Sequence, residues 1–170
     1  MNMKRIAASV VVLGGVVVIL SMISACATVH TETVVDAPRE EVWAVLADKE
    51  GYKEWNPVLV PLEGELKEGE KVTYEMTGPG DKKSKATSTI VKMVENEHLN
   101  QKGGLWGVVT FDHNWILQDE GGKTRVIQHE EYRGVYVPFW DYSWVEPSYA
   151  KANENLKARV MSLRGAKQTQ

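Results

Sequence analysis

The residues best suited to chemistry in this chain come in two short runs of alternating character. His113, Trp115 and Leu117 are spaced by two, and so are Gln128, Glu130 and Tyr132. In an extended strand successive side chains point to opposite faces, so each trio shares a face. If both faces line one interior, an imidazole, a carboxylate, an amide and a phenol meet among aromatic rings. Such a set is equipped for general acid/base work on an enolisable substrate, with His113 or Glu130 tuned toward neutral pH by burial. The first reading of such groups is a structural network that hydrogen-bonds within itself and shapes a pocket, with catalysis as the rival. His113 and Glu130 are thus the candidate catalytic pair, with Trp115, Gln128 and Tyr132 as candidate ligand contacts beside them.

Six tryptophans stand in 170 residues, and Trp106, Trp115, Trp140 and Trp144 all fall in the second half. Rings with a polar handle suit a ligand that is apolar at one end and wet at the other. Core packing is the commoner fate of large aromatics, and it is the first reading for Trp43, Trp55 and Trp115. Trp140 and Trp144, in the segment before the last helix, suit a lid or mouth, or a membrane-facing surface. Together with Tyr149 they complete the candidate ligand-binding set. His30, His98 and His129 show no ligand spacing, so no metal is expected. Gly103, Gly104 and Gly107 lack the strand-to-helix context of a phosphate or dinucleotide loop, so no cofactor is expected either.

The elements that must carry these residues follow from the patterning. Residues 29–35 alternate as a first strand. Pro38 suits the opening of a helix, Glu40 and Glu41 sit where the helix dipole favours acids, and Val42, Val45 and Leu46 make an apolar face. A second short helix at 51–55 is broken by Asn56 and Pro57. Residues 58–137 read as strand after strand, with turns at 63–69, 78–81, 96–100, 103–107 and 120–123. The basic run Lys82, Lys83 and Lys85 falls at one of these hairpins and reads as a solvated turn. A final helix starts at Pro147, and Tyr149, Ala152, Leu156, Val160 and Leu163 form one stripe along it. The expected class is α+β: a curved antiparallel sheet of about seven strands that covers the stripe of one long helix.

The N-terminus is organised differently. Lys4 and Arg5 precede an uncharged apolar run over residues 6–22, which closes in Ile23, Ser24, Ala25 and Cys26. This is the plan of a secretory signal, with basic, apolar and small-residue regions in order. Its last four residues resemble the bacterial lipobox, which implies cleavage before Cys26 and a diacylglyceryl group on its sulfur. Cys26 is the sole cysteine, so it makes no internal disulfide. The competing reading is an uncleaved anchor, since residues 6–25 are long enough to span a bilayer. The expected division is a signal peptide over 1–25, a lipidated lead over 26–28, a domain over 29–165 and a disordered tail over 166–170. The expected place is the cell envelope, at the outer membrane facing the periplasm in a Gram-negative cell. Removing the signal takes two of the 20 basic residues and none of the 23 acidic ones, for a formal charge of about −5. So acidic a domain has no electrostatic footprint for nucleic acid. No exposed apolar helix or edge strand stands apart to signal an oligomer.

Several stretches, taken in order, resemble the SRPBCC superfamily of START-like, helix-grip proteins, and within it the polyketide cyclase/dehydrase and lipid-transport group. They are Ala37-Pro38 with Val42-Trp43; Glu54-Trp55-Asn56-Pro57; Glu63-Gly64 with Gly69; His113 with Trp115; Gly121-Gly122 with Arg125; Gln128, Glu130 and Tyr132; and Asn153 with Leu156. The resemblance implies an apolar cavity between sheet and last helix, holding a lipid, a polyketide or another hydrophobic small molecule. The leading expectation is an envelope-anchored binder or carrier of such a molecule. A cyclase- or dehydratase-like enzyme using His113 and Glu130 is the alternative and a closed structural pocket the third reading, because one fold hosts all of them.

Overall fold

The computed structural model describes residues 25–168. Strand β1 (Cys26–Val35) is followed by helices α1 (Arg39–Leu46) and α2 (Tyr52–Trp55). Strands β2 (Leu59–Glu63), β3 (Lys71–Gly78), β4 (Lys82–Val94), β5 (His98–Leu105), β6 (Val109–Asp119) and β7 (Thr124–Arg133) come next, and helix α3 (Val145–Gln168) closes the chain. The strands form one antiparallel seven-stranded sheet in the order β1-β7-β6-β5-β4-β3-β2. Consecutive strands are neighbours from β2 to β7, and β1 closes onto β7. This is the helix-grip arrangement, with α3 held in the concave face of the sheet.

Local chemistry accounts for the elements. Burial along β7 alternates without a break from Thr124 to Tyr132, as a half-buried strand requires. Pro38 sits extended at the N-cap of α1, and its carbonyl accepts the Glu41 amide at 3.1 Å. Asn56 ends α2 and turns the chain, its Oδ1 accepting the amides of Val58 and Leu59 at 3.0 and 2.9 Å. The Trp55 carbonyl accepts Asn155 Nδ2 at 2.9 Å, and the Ala37 carbonyl accepts Thr124 Oγ1 at 2.7 Å, which fastens the two short helices to α3 and the sheet.

Several expected boundaries move. β1 begins at Cys26, ahead of the expected start at 29, and pairs that residue with Arg133. Lys82, Lys83 and Lys85 lie on β4 rather than at a turn, Lys83 meeting Glu75 on the neighbouring β3 and Lys85 meeting Glu63 on β2. Gly103 and Gly104 belong to β5, and the turn there is shorter than expected. α3 starts at Val145, because Pro147 fits its first turn, where an amide has no intrahelical partner. It runs on to Gln168, into the stretch expected to be a tail. Leu163 departs from the stripe and is exposed, while Asn153 takes a buried place and donates from Nδ2 to Thr31 Oγ1 at 3.0 Å. None of the described helices is long and apolar enough to cross a membrane. The signal-peptide expectation lies outside the described residues.

The interior divides along the length of α3. Beside its C-terminal half, Trp43, Trp55 and Trp115 pack with Leu46, Leu156 and Val160 into a filled core. Beside its N-terminal half, Val145 and Tyr149 face a looser cluster that includes Tyr132, Phe111 and Trp140. Bulky rings fill one end of the grip. The other end stays open.

Candidate functional site

That open end is a cavity of about 230 Å³. Its sheet side is made by Tyr74, Met76, Ala86, Val109 and Phe111, its helix side by Val145 and Tyr149, and its mouth by Tyr136, Trp140 and Trp144. The lining is overwhelmingly apolar. A cavity of about 150 Å³ lined by aliphatic and aromatic groups is enough for benzene, so this one suits a molecule of one or two rings or a short chain.

The few polar groups belong to two separate networks. In the first, Glu130 is almost fully buried and accepts the hydroxyls of both Tyr132 and Tyr149 on Oε2. Tyr132 comes from two residues along β7, where alternation returns it to the same face, and Tyr149 comes from the first turns of α3. Glu130 lines the cavity, and both of the hydrogen bonds described for it fall on Oε2. Burial pushes the Glu130 carboxyl up to about 7, the two phenols pulling against it by stabilising the anion, with the Asp112 charge adding a smaller upward push. Burial and the neighbouring carboxylate hold Tyr132 and Tyr149 well above the usual phenol range, so both stay protonated as donors.

In the second network the His113 ring is clamped between two amides. Gln101 Nε2 lies 2.9 Å from Nδ1, the Gln128 amide lies 2.9 Å from Nε2, and Ser88 Oγ donates to Gln101 Oε1 at 3.1 Å. The Ser88 bond makes Gln101 the donor to Nδ1, so Nε2 carries the ring proton. Gln128 Nε2 is the atom that lies 2.9 Å away and the Gln128 oxygen has no partner, so turning that amide over gives the ring proton its acceptor. Burial drives the imidazole down to about 3, so it stays neutral.

The sequence-derived set is therefore split. His113, Glu130, Tyr132, Trp140, Trp144 and Tyr149 all line the cavity. Trp115 does not: it is 1% exposed and stacks edge-on against Trp55 in the filled core. Gln128 does not line it either, lying behind His113 as its hydrogen-bond partner. His113 reaches the cavity with each ring nitrogen facing an amide. Gln101, Ser88 and Tyr74 escaped notice. Their signal was present, since Gln101 stands two residues from inward-facing Leu99, and Tyr74 lies between Val72 and Met76 on one face. The polar stretch around Gln101 hid its alternation.

A small antiparallel sheet gripping a helix around an apolar cavity defines the class as a helix-grip binding fold. Residues 27–161 match the family described as polyketide cyclase / dehydrase and lipid transport, and the chain belongs to it. No curated protein matches the sequence. Among solved structures, the chain is similar to protein TTHA0849 from Thermus thermophilus, at 18% identity and TM-score 0.66, over 81% of this chain and 99% of that one. It is also similar to the Zhui aromatase/cyclase from Streptomyces sp. R1128, at 16% identity and TM-score 0.65, over 81% and 94%. Protein Ms6760 from Mycobacterium smegmatis gives 19% identity and TM-score 0.65, over 80% and 92%. At these identities the likeness concerns the fold.

Proposed function

We propose that this protein binds or carries a small, mostly apolar molecule bearing one polar group, with that group hydrogen-bonded to Glu130. The observation behind this reading is a buried carboxyl, held on Oε2 by two phenols, at the wall of an otherwise apolar cavity. A polar group at the wall of an apolar pocket fixes a ligand's orientation, so a ligand atom that hydrogen-bonds to this carboxyl gains affinity and position. Protonated, Oε1 donates to a carbonyl or ether oxygen; ionised, it accepts from a hydroxyl. The anchor is part of the same reading: a lipid on Cys26 keeps the cavity at the envelope membrane that supplies an apolar cargo.

The test is mass spectrometry of an organic extract from full-length protein gently purified out of its native envelope. A compound of one or two rings or a short acyl chain at near one-to-one stoichiometry, lost in Glu130→Leu, is the expected result. A well-folded protein that leaves the envelope empty and takes up no apolar compound would overturn the reading. Palmitate labelling that persists in Cys26→Ala would remove the lipid anchor from it.

A second reading has its own observation. A carboxyl at about 7 beside two protonated phenols can take a proton from a carbon next to a carbonyl and return it to the oxygen of a second carbonyl that this carbon attacks, or to a β-hydroxyl that leaves as water. That is the chemistry of a cyclase or dehydratase, and Glu130, not His113, would perform it. Turnover abolished in Glu130→Gln but retained in His113→Asn would select it over the carrier.

A further inference from the structure

The apolar surface continues outward past the cavity mouth. The β5–β6 turn and the segment after β7 meet there, with the Val135 amide donating to the Gly107 carbonyl at 3.2 Å and the Tyr136 amide to the Val108 carbonyl at 3.0 Å. Gly134 permits the approach, because at φ +140° a Cβ would lie 2.2 Å from the Val108 oxygen. From these adjoining segments Leu105, Trp106, Val108, Tyr136 and Phe139 project into solvent, Trp106 being 90% and Phe139 68% exposed. Residues 103–111 and 134–140 contain no charged side chain, in a chain that is 25% charged. Large exposed apolar clusters of this kind mark an interaction surface.

We propose that this rim docks into the acyl–headgroup boundary of a lipid bilayer, so that the cavity mouth opens toward the membrane. The inference builds on the membrane attachment proposed above, through either the apolar run or a lipid on Cys26. The place where the described chain begins supports this occupant: the Ala25 carbonyl accepts the Gly134 amide at 3.2 Å, and Ala25 packs in the same cluster as Phe111 and Trp140. The apolar run of residues 6–22 stands just before it in sequence. A chain tied to a bilayer at this end presents the rim to the lipid. Trp, Tyr and Phe side chains without charges partition well into that boundary. An acidic domain gains nothing from anionic headgroups, so the docking is apolar and not electrostatic.

Full-length protein reconstituted into phosphatidylcholine vesicles with brominated acyl chains tests this through tryptophan fluorescence. Bromine should quench the wild type. Trp106→Phe should lose most of that quenching, Phe139→Asp should weaken it with an unchanged melting temperature, and added phosphatidylglycerol should not strengthen it. Equal quenching in wild type and Trp106→Phe would overturn the proposal. An unquenched Trp106 in protein that floats with the vesicles would overturn the rim alone, and protein that does not float would overturn the attachment as well. A dimer in detergent that Phe139→Asp converts to monomer, with Trp106 unquenched, would assign the rim to a second copy of the chain.

Discussion

His113 and Glu130 stand directly opposite each other on β6 and β7, and the burial they share drives their protonation in opposite directions. Burial disfavours charge, which an imidazole gains on protonation and a carboxyl gains on losing its proton. The imidazole falls to about 3 and the carboxyl rises to about 7. Between those values both are neutral, each held by its own partners: amides for His113, phenols for Glu130. They are neighbours without being an ion pair.

This opposition predicts a hidden pH dependence. His113 has a folded value below its ordinary 6.5, so its contribution to stability is present above 6.5 and lost as pH falls toward about 3. Glu130 has a folded value above its ordinary 4.5, so its contribution is full below 4.5 and lost as pH rises to about 7. From pH 4.5 to 6.5 the two slopes cancel. Glu130→Gln should uncover the His113 slope in that window, a rise of about 1.4 kcal/mol per pH unit relative to wild type. Urea unfolding of both proteins across the window measures it, and parallel curves would refute the opposed titrations.

Tyr149 shapes the Glu130 titration from the helix side. Its hydroxyl bonds to Oε2 and favours the anion, so Tyr149→Phe should move the carboxyl still higher, above about 7. Infrared difference spectroscopy of the carboxyl C=O band against pH would show the midpoint move upward. A midpoint that stays or falls would mean that the phenol does not stabilise the ionised form.

Two tryptophans expected at the ligand should behave differently. Trp115 fills the core between Trp55 and the sheet, so Trp115→Ala should cost about 3–5 kcal/mol of stability. Trp140 is half-buried at the mouth against Tyr132, so Trp140→Ala should weaken uptake of an apolar fluorescent probe several-fold at much smaller cost in stability. Denaturant midpoints and probe titrations on the same preparations separate the two effects. A Trp140→Ala variant with unchanged uptake would remove that ring from the site.

The sequence by itself determined the order of elements, the faces of the strands and the stripe of α3. These are local properties: period-two alternation places His113, Trp115 and Leu117 on one face, and a 3.6-residue repeat places Tyr149 and Leu156 on another. Local periodicity says nothing about position along a face. Only the grip of α3 decided that His113 borders the cavity while Trp115, two residues on, lies in the filled core. Pairing between distant strands likewise brought Gln101 to His113 and set the 134–136 segment against the 107–108 turn, because register arises from side chains and backbone far apart in sequence. The exposed rim follows from that pairing as well. Its residues look like ordinary strand and turn apolars until the fold leaves them exposed near the start of β1.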